Sequence, residues 1–357
     1  MAPPSNSLDA LDSLRLQVNE LIDDLPNLKF RKWIERSLGT VVRLADEQVE
    51  RLDWKILSAA LQDMEGAFQM FYPYRHIRKI SIFGSARISP ESPEYGIAVD
   101  FARHVVQQGF MVMTGAGGGI MEAGNKGAGA DRSLGLNIQL PFEQDANPFI
   151  DAENKLVEFK YFFTRKLFFL RESDAIALFP GGFGTQDEAF ECLTLGQTGR
   201  FGPCPVLLID RPGGDYWKDW DAYIRKHLLS RGLIGDRDCS IYTITDNVEV
   251  AIEAIRSFYR IYHSSRYVRD IFVIRLKSEL SDAAVDILNQ EFSDILVRGT
   301  IQKSQALPEE TMDETFHLPR LIFYFNRRDA GRMYELIARI NELGDRTSEE
   351  SAHPERK

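Results

Sequence analysis

Residues 174–185 read DAIALFPGGFGT: five apolar or small side chains after an aspartate, then a proline, three glycines interrupted by Phe183, and a threonine. The apolar run has the length of a buried strand, and the glycine turn ends it. The next residues, as far as Glu191, are acidic and helix-like. A strand passing through a glycine turn into a helix is the repeating unit of an α/β sheet. The same unit recurs on both sides. KISIFG from Lys79, FMVMTG, LGLNIQLP, CPVLLID and IYTITD read as further strands. Helical stretches separate them, one near Glu94 to Gln108 and a last from Val248 to Tyr259. This alternation predicts a Rossmann-like parallel sheet with helices on both faces, spanning residues 77–262.

The flanks read differently. Residues 1–76 are expected to be a helical extension, because Leu11, Leu14, Val18 and Leu21, then Trp33, Ile34, Leu38 and Val41, then Ile56, Leu57, Ala60 and Met64 recur at three and four. HSSRYVRD, from His263, looks like a linker. Beyond it, IFVIRLK, a helix near Ser281 to Glu291, ILVRGTIQK, RLIFYFN and a helix from Ala330 to Leu343 suit a small α+β domain of ferredoxin-like type, residues 266–345. The polar residues 346–357 are expected to be disordered. No internal repeat is found.

Composition narrows the function. With 44% hydrophobic and 27% charged residues among 357, the chain reads as globular. A net charge of -10 argues against broad binding to nucleic acid or to an anionic membrane. Apolar runs are strand-length, too short to span a membrane. The start, MAPPSNSLDA, lacks a secretory pattern, so a cytoplasmic location is expected. Cys192, Cys204 and Cys239 have no metal-ligand spacing and read as reduced packing residues, and the six histidines lie singly. No metal site is expected.

In a parallel α/β sheet, ligands bind beyond the carboxyl ends of the strands. Three glycine-bearing junctions fall there: Gly84-Ser85, the run TGAGGGIMEAG from Thr114, and Pro180 to Thr185. The first N–H groups of a helix have no intrahelical partner and lie at the positive end of its dipole, and glycine lets a phosphate approach them. Gly181, Gly182, Gly184 and Thr185 are therefore the expected phosphate grip, helped by Gly84, Ser85 and Gly117, Gly118 and Gly119. Thr185 also reads as a simple N-cap, which the same geometry allows. Met121 is assigned to the base pocket, against the plainer reading as a core methionine.

A dinucleotide site is excluded. The first strand runs into Gly84-Ser85-Ala86-Arg87, not G-x-G-x-x-G, and the second ends in Thr114-Gly115 rather than an acidic residue. No P-loop motif occurs. A mononucleotide or sugar-phosphate site remains. Arg165 and Lys166 open a helix, where the dipole disfavours cations, and would face the same sheet edge. Glu188 and Glu191 lie one turn apart after the phosphate turn. A carboxylate does not help to grip phosphate; it suits a site where positive charge develops, as at an oxocarbenium-like ribose carbon. The plainer reading places Glu188 in the first turn to suit the dipole.

PGGFGTQDE is similar to the P-G-G-x-G-T-x-x-E signature of the Lonely Guy (LOG) family, and FFTRKLFFLRESDAIALFPGGFGT resembles its Arg-Lys helix and following strand. GSAR, TGAGGGIMEAGNKGA and GLNIQLPFEQ match further blocks in order, over about residues 77–260. Members are cytokinin riboside 5'-monophosphate phosphoribohydrolases, many of them mislabelled lysine decarboxylase; longer relatives include purine and pyrimidine nucleotide nucleosidases. The resemblance implies cleavage of a nucleoside 5'-monophosphate to free base and ribose 5-phosphate, without metal or organic cofactor. It implies Arg165 and Glu188 as the catalytic pair, and at least a homodimer with sites near its interface. The alternative is a non-catalytic nucleotide or molybdenum-cofactor carrier on the same fold. No Schiff-base lysine with a pyridine-nitrogen partner is identifiable, so decarboxylation has no support.

Overall fold

The computed structural model describes residues 5–23, 30–47, 49–140, 145–310 and 314–352. The chain divides into two units, Met1–Gln62 and Asp63–Lys357. The first holds α1 (Ser5–Asp23), α2 (Arg31–Asp46) and the start of α3 (Arg51–Phe71). Arg31, at the head of α2, pairs with Asp23 at 2.7 Å and with Glu35 one turn on at 2.6 Å.

The second unit is built on seven parallel strands: β1 (Lys79–Phe83), β2 (Met111–Thr114), β3 (Ser133–Ile138), β4 (Leu156–Phe159), β5 (Ala175–Leu178), β6 (Val206–Ile209) and β7 (Tyr242–Thr245). Their order is β4-β3-β2-β1-β5-β6-β7. Every residue of β1, β2, β3, β5 and β6 is buried, as a sheet covered on both faces requires. The Rossmann-like expectation holds, with one strand more than the six read from sequence. The extra strand, β4, has four residues on the sheet edge and exposes Glu158, so it offers neither a long apolar run nor a turn signal.

Local chemistry sets the helices between strands. These are α4 (Pro93–Gln107), α5 (Ile120–Ala128), α6 (Phe162–Arg171), α7 (Phe183–Gln197), α8 (Tyr216–Ile224) and α9 (Val248–Phe258). Ser92 caps α4 by accepting the Tyr95 N–H, with Pro93 at the first turn, and Asn247 caps α9 through the Val250 N–H. Strand order reverses between β1 and β5. The turns after these two strands lead their helices in opposite directions, and a crevice opens between them.

The chain then forms a second sheet. β8 (Tyr262–Val268), β9 (Ile271–Leu276), α10 (Asp282–Glu291), β10 (Leu296–Ser304), β11 (Arg320–Phe325) and α11 (Ala330–Ala352) give a four-stranded antiparallel sheet ordered β10-β11-β9-β8. HSSRYVRD is therefore no linker: most of it is β8. The expected β-α-β-β-α run leaves one edge of β9 open, and β8 fills that edge from the preceding chain, where a ferredoxin-like domain would use a following strand. Its alternating polar residues, half-buried rather than apolar, hid it. Of the expected disordered tail, residues up to Ala352 continue α11, and residues 353–357 lie outside those described.

One hydrophobic cluster runs from Ile80, Val112 and Leu207 through Ile252 and Ile255 of α9 to Phe272, Ile274 and Phe323 of the second sheet and Leu336 and Ile340 of α11. Among the described residues, no helix is long and apolar enough to cross a membrane.

Candidate functional site

A cavity of about 810 Å3 occupies the crevice between β1 and β5. Gly84, Ser85, Met121, Arg165, Gly181, Gly182, Gly184, Thr185 and Glu188 all line it, together with Phe83, Ala86, Arg87, Phe162, Phe183, Gln186 and Asp187. Residues from four separate stretches of sequence thus meet at the carboxyl ends of the central strands. Another cavity, of about 860 Å3, lies among α6, α7 and β8. It is bordered by Asp174 and Cys204, which precede β5 and β6, so it opens at the opposite edge of the sheet.

The turn at Pro180 presents donors. Its carbonyls are engaged: Pro180 O accepts the Ser85 N–H at 3.1 Å, and Gly182 O, at the N-cap of α7, accepts the Gln186 N–H at 3.1 Å. Among the described residues, the N–H groups of Gly181, Gly182, Phe183 and Gly184 have no protein acceptor. Glycine at 181 has a packing reason, since an added Cβ would strike the Thr185 side chain. Gly182 and Gly184 have none: a Cβ at either would meet nothing within 4 Å, and Gly182 has an ordinary φ of -87°. Bare backbone there leaves room for something that is not protein. Thr185 is the third residue of α7, inside the helix, and the N-cap is Gly182.

Glu188 is the sixth residue of α7, beyond its first turn, so the helix-dipole reading does not explain it. Its side chain is buried, and Oε2 has no hydrogen-bond partner. Burial raises its pKa to about 7, against the opposing charges of Lys166 and Arg165. Arg165, on α6, donates from Nε to the Leu136 carbonyl at 2.8 Å and lies over the Phe169 ring at 5.2 Å. Burial lowers its pKa to about 10, with the Glu188 charge acting the other way. The two groups share the cavity without an ion pair between them. Lys166 points elsewhere: it bridges Asp187 at 2.7 Å and Glu191 at 2.8 Å and does not line the cavity.

Gly117, Gly118 and Gly119 are also not in the lining. They form the wall behind it. Gly117 O accepts from Asn147 Nδ2 at 3.1 Å, and a Cβ on Gly119, which has φ +63°, would collide with the Ser85 and Ala86 backbone. The Ile120 N–H reaches Ser85 O at 3.1 Å, so this glycine run holds the first turn in place.

Three residues escaped the sequence reading. A Cβ on Gly115 would strike Arg165 Nη2 and Met121 Sδ, so this glycine makes the slot for the guanidinium; its only signal was its place in TGAGGG. Arg87 sits on the cavity rim with no ion-pair partner among the described residues, and its only signal was its place in GSAR. Asp63 of α3 is buried and accepts from the Lys160 and Tyr161 N–H groups and from Thr164 Oγ1 at 2.6 Å. It caps α6 from a helix about a hundred residues away, and nothing local announces that.

Comparison with known proteins bears on the same region. Residues 113–255 match a family model described as "Possible lysine decarboxylase". A 93-residue segment is 36% identical to a cytokinin riboside 5'-monophosphate phosphoribohydrolase of Rhodococcoides fascians, covering 26% of this chain and 45% of that protein. Residues 113–255 are therefore similar to that family model, and part of the chain is similar to that enzyme. The chain thus spans less than half the length of that curated relative. Similar solved structures include a structural-genomics target, 25% identical over 50% of this chain and 99% of its own, TM-score 0.37. Another is the molybdenum cofactor binding protein of Rippkaea orientalis, 19% identical over 51% and 97%, TM-score 0.38. Among the described residues no lysine lines the cavity, so the "lysine decarboxylase" wording of that family model has no lysine there to refer to.

Proposed function

We propose that the cavity hydrolyses the N-glycosidic bond of a nucleoside 5'-monophosphate, an AMP-like or cytokinin riboside monophosphate, releasing free base and ribose 5-phosphate. The carrying observation is a buried, unpartnered carboxylate, Glu188, beside a turn of unpaired N–H groups. A phosphate grip alone has no use for that carboxylate.

In this reading the 5'-phosphate sits on the N–H groups of Gly182, Phe183 and Gly184 and the Thr185 hydroxyl, at the positive end of α7. Ser85 and Gly84 close the opposite side. The ribose then lies against Glu188, whose ionised form stabilises positive charge growing at the anomeric carbon and orients the attacking water. Arg165 positions the nucleotide and stabilises negative charge on the departing base. Met121 and Phe162 flank the base. Because Glu188 is held at about 7, it is half ionised near neutrality and poised for this work. The naming of the Rhodococcoides fascians relative supports the same chemistry. The reading needs no metal or organic cofactor, and a cytoplasmic location goes with it.

A homo-oligomer of at least two copies completes the proposal. Phe162, Phe163 and Leu167 of α6 are 54%, 55% and 48% exposed, and Phe183 is 96% exposed. Phe162 and Phe183 border the cavity and Phe163 and Leu167 continue the exposed face along α6, a patch that suits burial by a second copy. Light scattering should give a mass of two or more chains, and Phe163→Glu should lower it.

The deciding assay incubates the protein with a panel of nucleoside monophosphates and measures ribose 5-phosphate. Turnover abolished by Glu188→Gln supports the hydrolase. Tight nucleotide binding without turnover would make the protein a carrier, and an unimpaired Glu188→Gln variant would remove Glu188 from the chemistry.

A further inference from the structure

We propose that Tyr216 is a positioning residue that sets the direction of the anion-binding N–H groups, an inference resting on the phosphate site described above. A trans peptide points its carbonyl and its N–H to opposite sides, so whatever anchors the carbonyl aims the N–H. Three successive carbonyls of the turn are anchored: Pro180 O by the Ser85 N–H at 3.1 Å, Gly181 O by Tyr216 Oη at 2.5 Å, and Gly182 O by the Gln186 N–H at 3.1 Å. The N–H groups of the same peptides, on Gly181, Gly182 and Phe183, have no acceptor among the described residues. Two of the anchors are backbone. Only the middle one is a side chain, and it governs the Gly182 N–H.

The hydroxyl is well placed for this. Gly181 and Gly182 line the cavity and Tyr216 does not, so Oη holds the turn from behind. Gln186 Nε2 donates to Oη at 2.6 Å, which commits the tyrosine proton to Gly181 O. The ring itself is fixed. Tyr216 begins α8 and packs edge-on against Trp217 at 4.8 Å, while Trp217 is fully buried and donates from Nε1 to Ile209 O at 3.2 Å. The turn after β5 is thereby held from the helix after β6. Glycine at 182 leaves the backbone free to rotate when that anchor is lost.

Tyr216→Phe keeps the ring and deletes the anchor. Calorimetric binding of inorganic phosphate and of ribose 5-phosphate should weaken about three- to ten-fold, the worth of one neutral hydrogen bond. Amide hydrogen exchange of residues 181–184 should accelerate, with the rest of the chain unchanged. With a nucleoside monophosphate, KM should rise by a similar factor while kcat moves less than about two-fold. Unchanged affinity for both probes, even with a lowered melting temperature, would reduce Tyr216 to a packing residue and overturn the proposal. If the wild-type chain binds neither probe, the phosphate site falls and this inference with it. If it binds both but never turns over, only the hydrolase assignment is lost.

Discussion

Glu188 is a buried acid and Gly184 a bare stretch of backbone, and each can be tested alone. Burial raises the Glu188 pKa to about 7, from an ordinary value near 4.5. Between those values the folded protein retains a proton that the unfolded chain has released. Stability therefore falls as pH climbs through that window, and the penalty is complete above about pH 7. Glu188→Gln removes it. The variant should gain roughly 1–3 kcal/mol in unfolding free energy at pH 8 and show little difference at pH 4, by urea titration. Its activity should move the other way, with kcat down by about 10²- to 10⁴-fold. The wild-type kcat/KM should rise along an acid limb centred near pH 7 that the variant lacks. Gly184→Ala probes the bare backbone. The added Cβ would meet nothing within 4 Å beyond its own stretch of helix, and position 184 is inside α7, so alanine should stabilise the fold by up to about 1 kcal/mol. The same methyl would stand where a phosphate must come, and affinity for ribose 5-phosphate should drop at least ten-fold. A stabilised variant with intact affinity would show that nothing docks on this turn.

Among the elements, α6 matters most, because it carries Arg165 and its start is capped from α3. Asp63 takes two backbone N–H groups and the Thr164 hydroxyl at that start. Asp63→Ala would leave the two N–H groups without their acceptor, while the Thr164 hydroxyl keeps the Tyr161 carbonyl at 2.8 Å. It should cost about 1–3 kcal/mol in stability and reduce kcat, and Asp63→Asn, which keeps an acceptor, should recover part of both. Equal kcat in wild type and Asp63→Ala would show that Arg165 is held without the cap. The contrast with α7 explains what could be read in advance. The α7 turn and its glutamate are contiguous, so PGGFGTQDE displays strand end, donors and carboxylate together. The same holds for the central strands, whose burial on both faces leaves continuous apolar runs. Asp63, by contrast, meets α6 only through tertiary packing, and Gly115 is needed only because Arg165 arrives from a distant helix. The short edge strand β4 and the polar β8 were missed for a related reason: edge strands need not carry an apolar pattern. Gly117, Gly118 and Gly119 erred in the other direction. Their glycine signal was real, but it served the approach of the two turns to one another rather than the cavity.

At the scale of the whole molecule, the second sheet does not behave as an appendage that can be cut away. Asn341 of α11 accepts the Ile261 and Tyr262 N–H groups at 2.7 and 3.0 Å and donates to Phe258 O at 2.8 Å, so the last helix satisfies the backbone at the junction of α9 and β8. A Cβ on Gly331 would collide with the Arg237 carbonyl, and one on Gly344 with the Ile261 side chain, which shows how closely α11 lies against both. Removal of the second sheet would cut the shared cluster where α11 packs on α9, the helix that carries Ile252 and Ile255. A chain ending before residue 266 would keep β8 only in part and lose every partner strand of it. At about 25 cal/mol per Å2 of apolar surface, exposing several such side chains costs more than a domain of this size has to spare. Truncation at residue 265 should therefore yield aggregated or unfolded protein, whatever the second sheet does for activity. A gentler probe is Asn341→Leu, which leaves two buried N–H groups and the part-buried Phe258 carbonyl without this partner and should cost about 2–4 kcal/mol while touching no residue of the cavity. If its loss of stability is large and its KM and kcat at low temperature match wild type, the second sheet supports the fold rather than the site. If kcat falls while stability holds, the junction transmits to β5, whose approach is already tied to it by the Tyr259 hydroxyl donating to Asp174 O at 2.5 Å.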